Sequence, residues 1–391
     1  MGAAFRLLQH TFSTIPWGQW ASANGAGTPI YDPGLNVVGG NIVIPASWNG
    51  RLIRPSAAAR GGSGISSLAG LKNSSAYDGR CRVYWTDAIG AAQDGSTAIG
   101  APTLAATGDV YSWTGADSYK AIELLATGVK AAVVNLSSDF AGASVAAVQW
   151  NNEVLDNAGW HDNTTNPSRF TVPSGVSLVR VSCSVFFSAA PTGTPEALIE
   201  FYKNGSLVYP GTEAQFGSFA SPPIPVVPGD YIEVAINAAT GWTMGTHTDS
   251  WYAIEELPST LKWAIFQTTV DIDISATSSF VNGAPIVDVG GWYAGSFQFT
   301  VPSGVNIVRT GLTGKKTSNS GTFYMQQQHV GGQVGAYSSS QTLAFDYASA
   351  LTMPVVVTPG DTFSCSAYAN SGATKLLAGA VYWIEEVPAI T

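Results

Sequence analysis

The chain is poor in charge. Lys, Arg, Asp and Glu make up 11% of its 391 residues, less than half the usual share of about 25%, and this argues against a helical protein. Cysteine is scarce too. Cys81, Cys183 and Cys365 lie about a domain apart, each on the apolar phase of an alternating run, so buried small hydrophobes are expected and a disulfide framework is not. No run approaches the roughly 20 apolar residues of a membrane span. The opening residues Met1 to His10 hold an apolar patch too short for a secretory segment, and no Ser or Thr stands at position six for myristoylation. The expectation is a protein made in the cytoplasm without membrane insertion. The net charge of −9 and pI near 4.8 argue against a nucleic-acid partner. No long segment carries a 3.6-residue period.

What the chain does have is 43 Gly, 21 Pro and 11% aromatics on a 45% hydrophobic background. Turn-formers at this density, with enough apolar residues for a core, predict an all-β protein and exclude disorder.

Internal repetition is the main signal. Thr171-Val172-Pro173-Ser174-Gly175-Val176 recurs as Thr300-Val301-Pro302-Ser303-Gly304-Val305, and both run on to an arginine, Arg180 and Arg309. A weaker copy runs from Val43-Ile44-Pro45 to Arg54. Pro228-Gly229-Asp230 matches Pro359-Gly360-Asp361, with Gly108-Asp109 as the first-copy counterpart. Each copy closes on an aromatic strand: Tyr119 to Leu124, Trp251 to Leu257, and Tyr382 to Val387. Three anchors in one order predict three tandem units of about 130 residues. Residues 1–125 form a divergent unit, 126–145 a linker or arm, 146–257 a second unit, 258–262 a short hinge, and 263–391 a third. Val179, Val181, Cys183, Val185 and Phe187 alternate with polar neighbours, which predicts a half-buried antiparallel strand. About eight such strands per unit suggest a two-sheet sandwich, with a jelly roll favoured.

The order of the motifs, Phe170-x-Val172-Pro173-x-Gly175, then Phe201-Tyr202-Lys203-Asn204-Gly205, then Val226-Val227-Pro228-Gly229-Asp230, then a closing aromatic strand, resembles the C1q/TNF-like jelly rolls, including those of bacteriophage and gene-transfer-agent spikes and fibres. The likeness covers the second and third units well and the first poorly. Tyr84-Trp85-Thr86-Asp87 and Tyr324-Met325-Gln326-Gln327 replace the Lys-Asn-Gly hairpin in units one and three. The resemblance implies a homo-oligomer, a trimer favoured, that works by binding.

Few residues suggest chemistry. His10, His161, His247 and His329 have no metal-ligand spacing. Gly61-Gly62-Ser63-Gly64-Ile65 lacks the last glycine of a nucleophile elbow. Glu255-Glu256 and Glu385-Glu386 are strand neighbours, so their side chains point to opposite faces and cannot act as one acid–base pair. Asp271 and Asp273 share a face that reads as solvated. No enzyme activity and no cofactor or metal are expected.

Charge is unevenly spread. Residues 1–140 carry a net +1 and the remainder −10. Arg51, Arg54, Arg60, Lys72, Arg80 and Arg82 crowd the first unit and read as a candidate face for docking to an acidic capsid or spike-base protein. Tyr119, Trp251, Tyr252, Tyr382 and Trp383 read as core or oligomer interface, since neighbours on a strand place one aromatic on each face. The expected role is a virion structural protein of a tailed phage or gene transfer agent, assembled in the host cytoplasm and exposed on the capsid as head spike, fibre or decoration component. A receptor-binding tail fibre or lectin for host surface polysaccharide is the alternative.

Overall fold

A computed structural model describes residues 17–22, 29–31, 36–38, 41–61, 64–65, 82–86, 101–114, 118–142, 145–189, 197–213, 216–245, 250–274, 279–280, 284–293, 298–317, 323–330, 347–351, 355–369 and 374–387. Within them the protein is nearly all β, with a single 3-10 turn at Ala46–Trp48 and only antiparallel pairings among the strands.

The same sheet order appears three times. In the first repeat Pro29–Tyr31, Trp17–Ser22, Ser118–Leu124 and Leu52–Gly61 lie side by side. In the second the order is Asn152–Asp156, Ala131–Asn135, Trp251–Glu256 and Leu178–Ala189. In the third it is Ala284–Val289, Trp263–Gln267, Val381–Glu386 and Ile307–Lys315. The opposing sheets repeat as well. Val110–Thr114, Tyr231–Asn237 and Thr362–Ala369 each have an equivalent short strand beside them, Asn41–Val43, Arg169–Thr171 or Gln298–Thr300. Each also pairs with one hairpin strand, Arg82–Thr86, Leu198–Lys203 or Phe323–Val330. In the second repeat Val181, Cys183 and Val185 of one sheet pack with Phe201, Val234 and Ile236 of the other. Apolar side chains from two facing sheets make a sandwich core.

One turn explains why the repeat survives sequence divergence. Gly108, Gly229 and Gly360 have φ of 84°, 90° and 95°, the left-handed region that glycine enters without a steric cost. Their N–H groups donate to Ile44, Val172 and Val301, each at 2.9 Å, and those residues donate back to Asp109, Asp230 and Asp361, each at 2.8 Å. The aspartate side chains accept from the backbone N–H three residues earlier, at Ala106, Val227 and Thr358. The divergent copy around Val43 therefore builds the same clamp as the two close copies.

In the second repeat the clamp is tied to a hairpin. Asn204 and Gly205 have φ of 52° and 76°, the two positive values that an Asn-Gly hairpin turn requires. Asn204 Nδ2 donates to Asp230 Oδ1 at 2.7 Å, and Tyr231 N donates to Asn204 Oδ1 at 2.9 Å. These bonds, first Asn204 and then Val227 N–H, hold the Asp230 carboxyl below the usual carboxylate range. A depressed folded pKa contributes stability that is present above the unfolded value, near 4, and fades as the pH falls through the folded one. Between about pH 5 and about pH 2.5, the Asp230→Asn variant should therefore lose less stability than the wild type, measured as the urea midpoint. An equal loss in both would remove Asp230 from the acid response.

Two expectations need correction. Residues 126–145, expected as a linker or arm, carry strands of the second repeat's sheets. They contain Ala131–Asn135, which pairs with Trp251–Glu256 on one side and Asn152–Asp156 on the other, and Phe140–Gly142, which pairs with Trp242–Met244. The second repeat opens at Lys130, whose Nζ donates to Ser174 O at 2.7 Å, as Lys262 donates to Ser303 O at 2.8 Å in the third. The strand Leu178–Ala189 is also more than half-buried. Leu178, Arg180 and Ser184, on its expected polar phase, are buried along with Val179 and Val181. Its outer face is covered by another repeat.

Candidate functional site: a buried charge chain between repeats

That covered face holds the ionisable cluster. Arg180 lies directly across from Glu255, Arg309 across from Glu385, and Arg54 across from Glu123. Directly opposed residues of antiparallel strands share a face. Because Val181 and Cys183 point into the sandwich, Arg180 and Glu255 point out of it, toward the neighbouring repeat.

The side chains then link across repeats. Arg54 of the first repeat donates through Nη2 to Glu255 Oε2 of the second. Arg180 Nε donates to Glu255 Oε1 at 2.8 Å, and Arg180 Nη1 donates to Glu385 Oε1 of the third repeat. Arg309 Nη1 donates to Glu385 Oε1 at 3.0 Å. The result is a continuous series Arg54, Glu255, Arg180, Glu385, Arg309. All five are buried, Glu385 to 1% exposure and Arg309 to 2%. Removing such charges from water costs several kcal/mol per ion, offset only when partners and hydrogen bonds are well placed. A series of this kind fixes geometry more than it adds net stability, because any other arrangement would leave a charge buried and unpaired.

Apolar contacts flank the charges. Trp251 and Ala253, on the outer face with Glu255, pack with Val133 and with Ala101 of the first repeat. Val381 and Trp383, their counterparts in the third repeat, belong to the hydrophobic cluster of the second. Gly311 sits opposite Trp383 in register, and a methyl group there would overlap the indole. Tyr252 and Tyr382 point the other way into their own cores, in tilted ring contacts with Phe170 and Phe299. Burial pushes both phenols well above their ordinary value.

Of the aromatics singled out in the sequence, Trp251, Tyr252, Tyr382 and Trp383 are all buried, one of each pair in a core and the other between repeats. The side chain of Tyr119 lies outside the described residues, although its strand does not. The basic set divides. Arg54 is no docking residue: it is buried at 6% exposure and committed to Glu255. Arg51 is half-buried and donates to Leu125 O at 2.9 Å. Lys72 and Arg80, and the side chains of Arg60 and Arg82, lie outside the described residues. Cys183 and Cys365 are buried and unpaired with any other cysteine; Cys81 lies outside the described residues.

Sequence reasoning missed a second repeated device. Asp156 accepts backbone N–H bonds from Ala158, Gly159 and His161, and Asp288 accepts them from Gly291, Trp292 and Tyr293. The signal was present as Asp156-x-x-Gly159-Trp160 and Asp288-x-x-Gly291-Trp292. Trp160 and Trp292 are thereby placed at the core, at 1% and 0% exposure.

The chemistry open to this arrangement is limited. Glu255 and Glu385 share Arg180 and lie away from solvent, whereas an acid or base must come within hydrogen-bond reach of its substrate. Among the described residues no group of three or more His, Cys, Asp or Glu side chains is placed to hold a metal ion.

No protein-family model matches the chain, and no curated protein does. Similar solved structures include one titled as the plant receptor-like kinase FER, 8% identical over 67% of this chain and 88% of that one, with a TM-score of 0.20. A chain from the structure of the lipid-containing bacteriophage PM2 is 8% identical over 95% of this chain and 98% of that one, at 0.16. The cycloalternan-forming enzyme from Listeria monocytogenes is 10% identical over 89% of this chain and 30% of that one, at 0.17. Scores this low carry no argument about fold or function.

Proposed function

We propose that the protein is a non-enzymatic structural component of a particle surface, built as three tandem jelly-roll domains of C1q/TNF-like type. On this reading it belongs to a tailed phage or gene transfer agent and stands on the capsid as a head spike, fibre or decoration component. The observation that carries the structural role is the buried series from Arg54 to Arg309. It couples three sandwiches through charges that tolerate little rearrangement, which suits a stiff adhesive body and offers no solvent-facing chemistry. The virion assignment rests on the order of the hairpin, Pro-Gly-Asp turn and closing strand. The acidic second and third repeats would face outward, and the first repeat would dock on an acidic capsid or spike-base protein.

Electron microscopy of particles carrying a labelled copy of the chain tests this. Density on the capsid supports the proposal. Density at the tail tip favours a receptor-binding fibre, and binding on a host glycan array would favour a lectin. A chain absent from particles would sink the virion reading. With Arg54 committed elsewhere, the docking face reduces to the remaining basic residues. The Arg80→Glu, Arg82→Glu double variant should fold normally and lose most of its occupancy on particles; full occupancy would remove electrostatic docking.

A further inference from the structure

The contact between the first and second repeats uses the same positions as that between the second and third. Arg54 reaches Glu255 of the following repeat, and Arg180 reaches Glu385 of the following repeat. The outer-face pair Trp251 and Ala253 packs with the repeat before it, and so does the equivalent pair Val381 and Trp383. A one-way contact repeated in this manner makes a closed ring if the rotation per step closes, and an open row if it does not.

Two observations point to closure at three. Arg309, the third arginine of the series, is 2% exposed in a single chain, so the chain itself covers it. In the register, Glu123 stands opposite Arg54 as Glu255 stands opposite Arg180 and Glu385 opposite Arg309. Position 123 is therefore the first repeat's counterpart of the two glutamates that receive an arginine from the preceding repeat. We infer that the third repeat packs its Arg309 side on the first repeat's strand Ser118–Leu124 at position 123, closing the three repeats into a ring of approximate threefold symmetry. One chain then does what a homotrimer of single domains would do. The aromatic faces expected between protomers are used within the chain.

Solution scattering and light scattering on the intact chain test the closure. For a single chain of 40.6 kDa, isolated and checked by its mass, the ring requires a radius of gyration of about 21 Å, as for a compact body of this length. Three linked domains in a row about 28 Å apart would give roughly 27 Å instead. A double-mutant cycle with Arg309→Met and Glu123→Gln reports the contact. The two changes should be coupled by about tenfold in the unfolding equilibrium, or about 1.4 kcal/mol, comparable to the cycle for Arg180→Met and Glu385→Gln. A row-like radius for the single chain, or additive effects at 309 and 123, would each overturn the ring.

Discussion

Replacing Glu255 with glutamine should lower the stability of the chain by about 3–5 kcal/mol, the usual cost of removing one member of a buried ion pair. Glu255 receives both Arg54 and Arg180, so the variant leaves two guanidinium groups short of a carboxylate in a site closed to water. Glu386, one residue beyond Glu385 and less buried, provides the control. Its change to glutamine should stay within about 0.5 kcal/mol, as for ordinary surface substitutions. Urea denaturation of the two variants checks the contrast. A further variant that replaces the whole series, with methionine at 54, 180 and 309 and leucine at 255 and 385, should recover much of the loss, because apolar residues can replace a buried ion cluster without a stability penalty. If Glu255→Gln unfolds at the wild-type midpoint, the charge series contributes nothing to holding the repeats together.

The second large effect is steric. Gly311→Ala should cost about 2–3 kcal/mol, toward the upper end for overpacking a tight core. The indole of Trp383 lies across Gly311 and is fully buried in the second repeat's cluster. An added methyl group therefore has to move either the tryptophan or the neighbouring repeat. Glycine beneath a cross-strand aromatic ring is a known device for seating it. Gly142 beneath Trp242 is a second instance. The near-ultraviolet circular dichroism of the Gly311→Ala variant should change with its stability. A variant that melts with the wild type and keeps its spectrum would show that the ring has room to spare.

The internal repetition was legible because it is local. The Pro-Gly-Asp turn, the Thr-Val-Pro-Ser-Gly start and the closing aromatic strand each occupy a few consecutive residues with a strict conformational demand. The arginines and glutamates were visible as repeat anchors, but not as partners. Arg54 and Glu255 are 201 residues apart, and Arg180 and Glu385 are 205 apart, separations that no local pattern encodes. The same covering of the outer face misled the reading of burial. A strand predicted to have one solvated side has a second repeat against it, so Arg180 and Arg309 are interior residues with the composition of surface ones. Ala131–Val134 is buried on both faces and so lacks the alternation by which half-buried strands are recognised. Small residues without a period read as a linker there. Asp156 and Asp288 went unnoticed because a carboxylate clasping backbone N–H groups is common in turns, and only its recurrence with the Gly-Trp pair marks it as part of the repeat.

Equilibrium unfolding of the intact chain, followed by tryptophan fluorescence and by hydrogen exchange in the strands that carry Arg54, Arg180 and Arg309, tests the coupling of the repeats most directly. Shared buried charges require these strands to lose protection together, in one transition that coincides with the fluorescence change. If each repeat instead opened at its own denaturant concentration while the others stayed protected, the three would be independent beads, and the buried charge series would not be what joins them.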